Sequence, residues 1–559
     1  MPAPTVTLPT GYLLQNGRRV LEGVRALYED LLNDTERQFL DRFDQLPDDA
    51  QSLYLRLLTR RGPLLAIDSL NYPEVPSTES ALAHLLEQGF ASRNPDADVT
   101  DWLALLTKPE LVAAFTGKAA AKLPREALVQ HIVERTTPTE IQQVIAQRRP
   151  CVRAEQREVF ATCLLLFFGN NRQDLSEFVI TDLGHVCYES YDLSRKTRRF
   201  NSRVEIDCLQ HYFGIDEQWQ TEEALQSAEQ LIALHLQLPF HQNLPELQRR
   251  HERIALGVAR QLERLEQVDA ALAIYSTCQQ HPSRERQARI LAKQGKPVAA
   301  LALCEAILID SHHPEEREFA EKFGSTLARK HQQTFPTPTA DADAVDTFHL
   351  ELPYRDEPVE LLAAEALSDD QHQCIYVENS LFCSLFGLYC WDIVFTPLPG
   401  AFFHPFQTGP HNLRSEFFYA DRRALLEERF AAMAVPGWQE HIWHHYLHKA
   451  GIANPFVFWD WLTPELIELT LRTIPAAHLQ TIFRQLCLHP GLYASGFPDL
   501  IRFRFDADDA ADTALRYELI EVKGPGDRLQ SNQRRWFRRF REAGIPARLL
   551  NVSWQDTPE

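Results

Sequence analysis

The 559-residue sequence has no apolar run near the 18 or so residues that a bilayer-spanning helix needs; its longest candidate is the short stretch from Cys163 to Phe168. No membrane association is therefore expected. The opening MPAPTVTLPTGYLL has neither a positive n-region nor a continuous apolar h-region, which speaks against a secretory leader and for a cytoplasmic protein. Cysteine is sparse. The ten in the chain form no CxxC pair and no Cys/His cluster at zinc-finger spacing, so they read as buried thiols in a reducing compartment. Positive charge is short as well: 57 Lys and Arg against 77 Asp and Glu leave a net charge of −20, which as a whole-chain property argues against a polyanionic partner. What is present is ample apolar material, 44% of residues with 24% charged, which excludes global disorder. At about 150 residues per domain the length predicts three or four domains.

Charge distribution qualifies the sum. Between Lys523 and Arg548 eight basic residues (Lys523, Arg528, Arg534, Arg535, Arg538, Arg539, Arg541, Arg548) face only Asp527 and Glu542, so an acidic chain has a basic end. From Tyr12 to about Arg61 apolar residues recur at helical spacing (Val20, Val24, Leu27, Leu31; Leu53, Leu57), punctuated by NDT and LPDD turns, and short helices continue to Phe90. Residues 1–100 read as a helical N-terminal domain. Residues 101–150 hold two short helices meeting at a polar turn, with Leu111, Ala114 and Phe115 facing Leu123, Leu128 and Ile132. This pair resembles a SAP-type module, which implies contact with DNA backbone; any helical hairpin gives a similar pattern. Over 151–335 the periodicity is almost wholly helical. LERLEQVDAALAIYSTC and LAKQGKPVAALALCEAI repeat with an offset of 29, matching Leu262 to Leu291 and Ala271-Leu272 to Ala300-Leu301. That is shorter than the roughly 34 residues of a tetratricopeptide repeat, yet small residues at the crossing suit a degraded, TPR-like solenoid. The Pro-, Thr- and Asp-rich segment from Phe335 to Thr347 reads as a linker.

Residues 336–559 form the last domain, with a core at about 490–555. Ile375 to Phe395 reads as one long buried helix with Glu378 near its start. The period then changes from 3.6 to 2: Asp499, Ile501, Phe503 and Phe505 alternate with Leu500, Arg502 and Arg504, and Leu515, Tyr517, Leu519, Glu521 and Lys523 repeat the pattern beyond an acidic turn, DADDAADTA. A helix, QSNQRRWFRRFREAG, and a strand, ARLLNVSW, complete an α/β unit. Period two puts Glu521 and Lys523 on one face, and a hairpin brings Asp499 to it. Two converging carboxylates can hold a hard divalent cation with open positions for water and phosphate, and an ammonium beside it can orient the water or stabilise charge developing on phosphorus. Glu and Lys on an edge strand more often face solvent. Here they sit among Leu519, Ile520 and Val522, where burial without a partner is costly.

GFPDL (496–500), IEVKGPGDRL (520–529) and QRRW (533–536), in that order, resemble the VRR-NUC branch of the PD-(D/E)xK nucleases. The module order extends the resemblance across nearly the whole chain to the Fanconi-associated nuclease family, in a bacterial form. The implied fold is multidomain and mostly α-helical with a C-terminal α/β PD-(D/E)xK nuclease domain. The resemblance implies that Asp499, Glu521 and the Val522 carbonyl are metal ligands, that Lys523 is the catalytic lysine, and that Glu378, eight residues before FGLYCWDIV, is a further ligand. Read from the residues alone, Glu378 entering a helix N-terminus favours the helix dipole and nothing more. Gln533 matches a family position near the site or the phosphate, with Arg534 beside it. The implied cofactor is Mg²⁺ or Mn²⁺, two per site. Two departures stand out: the nine-residue acidic loop from Asp506 to Ala514 bears on substrate approach, and the absence of cysteine before Cys151 means that no ubiquitin-binding zinc finger is expected.

Backbone phosphates fall to two basic sets, Arg56, Arg60 and Arg61 in one and Arg195, Lys196, Arg198 and Arg199 (with Arg203 following) in the other; a solvated basic face is the commoner meaning of such runs. The resemblance implies a structure-selective nuclease that cuts 5′ flaps and works from 5′-phosphorylated ends in interstrand-crosslink repair, with a 5′-phosphate pocket that spacing alone does not place. Such a protein would lie in the bacterial cytoplasm, on the nucleoid when bound to DNA, and its helical repeats leave room for a protein partner. The rival expectations are a DNA-binding scaffold whose nuclease-like domain no longer cuts, and a junction-resolving nuclease.

Overall fold

Local capping starts many of the helices. Asn33 and Glu36, Thr137 and Glu140, and Ser202 and Glu205 close reciprocal capping boxes at the heads of Asp34–Gln45, Pro138–Arg148 and Arg203–Trp219. The computed structural model describes residues 11–116, 121–182, 186–240, 244–336, 345–415, 417–505 and 516–555. Its chain divides into two units, residues 1–201 with 399–407 and residues 202–398 with 408–559. Among the described residues no helix is long and apolar enough to cross a membrane.

In the first unit Tyr12–Tyr28, Asp34–Gln45 and Asp48–Thr59 are helices, and Phe39, Phe43, Tyr54 and Phe90 form an aromatic cluster with ring centroids 4.9–6.2 Å apart. The all-helical expectation for this region is corrected by a small antiparallel sheet: β1 (Leu65–Ala66), β2 (Ala91–Arg93) and β3 (Cys151–Ala154), in the order β1-β3-β2. Strands of two to four residues are too short to show a period-two pattern. The SAP-like pair is helical at Lys108–Leu111 and Arg125–Val133, and Leu111, Leu128 and Ile132 are buried in one cluster with Ala114, Phe115 and Leu123. The middle of its connecting turn, 117–120, lies outside the described residues.

The second unit begins with helices and continues through the repeat pairs Pro245–Arg264 with Val268–Thr277 and Ser283–Lys293 with Pro297–Ile309, closed by Pro314–His331. Ala271 and Ala300, which the repeat predicts at the crossings, are fully buried. Most of the expected linker, 337–344, lies outside the described residues, as does the acidic turn with Leu515. Beyond it β4 (Thr347–Leu352), β5 (His372–Tyr376), β6 (Leu500–Arg504), β7 (Tyr517–Lys523) and β8 (Ala547–Trp554) form a mixed sheet in the order β4-β8-β7-β6-β5, with β4/β8 and β8/β7 parallel and the rest antiparallel. β7 is central and has its middle buried on both faces, so Glu521 lies inside the protein.

The long helix expected from Ile375 to Phe395 is a second correction. The segment starts as the end of β5, turns at 377–380, and only then runs helical at Leu381–Tyr389 and Trp391–Val394. A continuous apolar run carries no periodicity to separate strand from helix. Here the backbone decides: the Val377 N–H bonds the Asp499 carbonyl, prolonging the β5–β6 ladder, and Asn379 takes a left-handed φ of 53° that breaks the chain direction.

The helix Ser531–Ala543 is pinned to the sheet by Trp536, which is 1% exposed, stacks on Phe497 at 4.1 Å and donates its indole N–H to the Ser495 carbonyl. Trp536→Ala is expected to cost about 3–5 kcal/mol of stability, read as a lowered urea midpoint of the full-length protein.

Candidate active site

Three strands deliver the site. The β6–β7 register pairs Leu500 with Ile520, so the next position of the ladder sets Asp499 opposite Glu521. Asp499 is 7% exposed, and its Oδ2 accepts the Val522 backbone N–H at 2.8 Å. The approach to Asp499 requires glycine at 496. Its φ is +85°, and a Cβ there would meet the Asn532 side chain at 2.8 Å and its backbone at 2.9 Å.

Glu521 is fully buried. Its Oε1 takes the Lys523 ammonium at 2.7 Å and the Gln533 amide, while Oε2, also buried, has no hydrogen-bond partner among the described residues. Gln533 is held in turn by a capping box with Gln530 at the head of Ser531–Ala543. Burial raises the proton affinity of both acids. Asp499 is pushed up to about 7, with Glu378 and Glu360 adding to the rise and the Val522 N–H and Lys523 opposing it. Glu521 is pushed up to about 8 by burial and by Asp499, against Lys523.

Glu378 stands exposed on the turn after β5, not on a helix; Tyr376 donates its hydroxyl to Oε2 at 2.6 Å and Asn379 its amide to Oε1 at 3.0 Å. Its charge acts on both Asp499 and Glu521, so the four charged groups picked from the sequence gather at one place with Val522 between them on β7. Sequence reasoning missed Glu360, in the first turn of Val359–Ala366, whose charge also bears on Asp499 and Tyr376. No local motif marks it, because only the packing of that helix beside Gly524 brings it there. The residues fit a hard cation: the Asp499 and Glu521 carboxylates are buried together, and one buried Glu521 oxygen has no donor among the described residues.

The basic C-terminal stretch has an internal explanation. Arg535 pairs with Glu318, Arg538 with Glu321, Arg539 with Glu542, and Arg548 with Asp346, while Arg528 and Arg534 make no ion pair among the described residues. The two N-terminal basic sets both lie in the first unit and are unevenly placed. Arg56 bonds Glu74 at 2.6 Å and lies over the Tyr12 and Tyr72 rings, Arg60 donates to the Ser69 carbonyl and the Tyr72 hydroxyl, and Arg61 is exposed. Arg195 donates to the Ala26 carbonyl, Lys196 is exposed, and the Arg199 backbone N–H donates to the Tyr28 hydroxyl. Arg198 is 8% exposed and grips Asp30 with both Nη groups, so its guanidinium holds the loop to the Tyr12–Tyr28 helix end and does not face solvent.

Comparison with known proteins gives the family. Residues 436–554 match the VRR-NUC domain and residues 11–92 the domain described as "FAN1, HTH domain". The chain is 33% identical over 563 residues to the Fanconi-associated nuclease 1 homolog of Pseudomonas aeruginosa, covering 99% of this chain and 98% of that one. It is 24% identical to the Arabidopsis thaliana homolog, spanning 66% of that longer protein. Among solved structures it resembles paFAN1 bound to 2-nt 5′-flap DNA with a gap, at 33% identity and a TM-score of 0.86 over 99% of this chain and all of that one. The complex with a 1-nt flap gives a TM-score of 0.84. A nuclease domain of the PD-(D/E)xK type implies dependence on a divalent metal. The chain belongs to the Fanconi-associated nuclease family and is a DNA nuclease.

Proposed function

We propose that this protein cuts DNA at 5′ flaps and from 5′-phosphorylated ends, as a step in releasing interstrand crosslinks. The observation that carries the reading is the buried Asp499–Glu521 pair with Lys523 on the same strand and an unmatched Glu521 oxygen. Support for the substrate comes from the likeness over 99% of this chain to a relative solved on flap DNA. Asp499, Glu521, Glu378 and the Val522 carbonyl would hold Mg²⁺ or Mn²⁺, with room in the donor set for two ions. When bound, such an ion neutralises charge at the scissile phosphate and lowers the pKa of coordinated water. The chain's own groups do the rest. Lys523 and Gln533 together fix Oε1 of Glu521 and so aim Oε2 away from them. The Lys523 ammonium is placed to orient the attacking water or to stabilise negative charge as it develops on the phosphoryl oxygens. Tyr376 and Asn379 fix Glu378, each holding one carboxylate oxygen. Arg534, on the same helix as Gln533, and Arg61 and Lys196 in the first unit offer unpaired cations to backbone phosphates.

A cavity of about 730 Å³ lies in the second unit, lined by Arg249, Arg414, His489 and the Phe417 ring, over which the Arg249 guanidinium stacks at 4.6 Å. We assign the terminal 5′-phosphate to it, because two guanidinium groups in its concave lining suit a dianion.

Three outcomes are expected. Asp499→Ala cuts an end-labelled 5′-flap duplex at least about a hundredfold more slowly than the parent with Mg²⁺ or Mn²⁺, and chelator abolishes cutting by the parent; retained cutting refutes the site. Arg249→Ala removes the preference for a 5′-phosphate over a 5′-hydroxyl flap, a loss of about tenfold for one charge-assisted contact; an unchanged preference refutes the pocket. In metal-free protein the raised acids bind protons more tightly folded than unfolded. Their contribution to stability is therefore present at low pH and is lost as pH rises through about 7 and 8. Thermal melts without metal should show that fall, and Glu521→Gln should flatten it.

A further inference from the structure

In the second unit the loop between Val268–Thr277 and Ser283–Lys293 carries His281, and the start of Pro314–His331 carries His313 and Glu315. The two imidazoles stack at 4.8 Å with planes 20° apart. Glu315 divides its oxygens: Oε1 lies 3.7 Å from Arg535, while Oε2 turns to His281 Nε2 at 3.5 Å and His313 Nδ1 at 3.9 Å. One ligand atom from each of the three residues lies within 4.8 Å of the others. At 3.5 Å and 3.9 Å the imidazole–carboxylate approaches are too long to be good hydrogen bonds. His281 Nδ1 is buried with no hydrogen-bond partner among the described residues. His313 Nδ1 accepts the Glu315 backbone N–H at 3.3 Å as the cap of the helix, and a metal at that nitrogen would take the place of this bond.

We propose that His281, His313 and Glu315 form a second metal site, for a borderline dication of the Zn²⁺ class, in the wall of the 730 Å³ cavity. Two nitrogens and one carboxylate are the donor set of such an ion, and three protein ligands leave a fourth position for water or a ligand in the cavity. Ligand softness separates the two centres, since imidazole favours Zn²⁺, Ni²⁺ and Co²⁺ whereas the all-oxygen centre at Asp499 and Glu521 favours Mg²⁺ and Mn²⁺. Tetrahedral ligand atoms about 2.0–2.1 Å from an ion sit closer together than these do. Binding therefore draws the 281 loop towards the head of Pro314–His331 and ties two repeats together. The inference stands on this cluster alone and does not depend on the nuclease reading.

The test uses full-length Asp499→Ala protein, which weakens the acidic centre, in a large excess of Mg²⁺. Titration with Zn²⁺ should show one ion per chain, and Co²⁺ in its place should give a visible ligand-field band. His281→Ala and His313→Ala should each weaken Zn²⁺ binding at least about tenfold and abolish the band. If either variant loses its native circular dichroism, Glu315→Gln on the exposed carboxylate replaces it with the same expected loss. Absence of bound Zn²⁺ in the Asp499→Ala protein, or binding that the added substitutions leave unchanged, overturns the proposal, and in that case cleavage by the unsubstituted protein with Mg²⁺ alone still decides the nuclease reading separately.

Discussion

Two carboxylates buried side by side are the constraint around which the nuclease part is built. Asp499 and Glu521 face each other across two central strands with little access to water, and burial raises both. Such a pair survives folding only when neutralised by protons or by a cation. The chain supplies one ammonium from Lys523, one amide from Gln533 and one backbone N–H from Val522, and that leaves an oxygen of Glu521 unmatched. Everything nearby serves this arrangement. Gly496 lets the PD turn press on the Ser531–Ala543 helix, Trp536 locks that helix on Phe497, and the helix presents Gln533 to Glu521.

The same helix joins the catalytic sheet to the helical repeats. Arg535 and Arg538 on Ser531–Ala543 pair with Glu318 and Glu321 on Pro314–His331, and the Arg535 pair is nearly buried on the arginine side. Breaking either partner of a buried pair is costly, so these contacts fix how the last repeat meets the nuclease sheet. A basic stretch that reads as a DNA-binding end in the sequence is thus largely an internal fastening, which lets an acidic chain carry it.

Much of this was legible in the sequence. The PD and ExK residues point to the candidate site because period two and a short antiparallel pair bring them together, and Ala271 and Ala300 of the repeat are buried as its spacing predicts. What was hidden shares one physical cause: it depends on partners distant in sequence. Glu378 reads as helical because an apolar run has no period, whereas it stands on the turn after β5, a strand defined by a ladder to residues over a hundred positions away. Glu360 reaches the site only through helix packing. Arg198 looks like one more cation in a basic run, and only the fold delivers Asp30 to it.

Proton release on metal binding tests the central claim most directly. If the Asp499–Glu521 pair holds protons near neutral pH until a cation replaces them, calorimetric titration of Mn²⁺ into metal-free protein near pH 6.5, repeated in buffers of different ionisation enthalpy, should show about one or more protons released per site filled. The same experiment near pH 9 should show the release vanish. Binding without proton release at the lower pH would contradict a protonated buried pair and with it the account of how this site is held together.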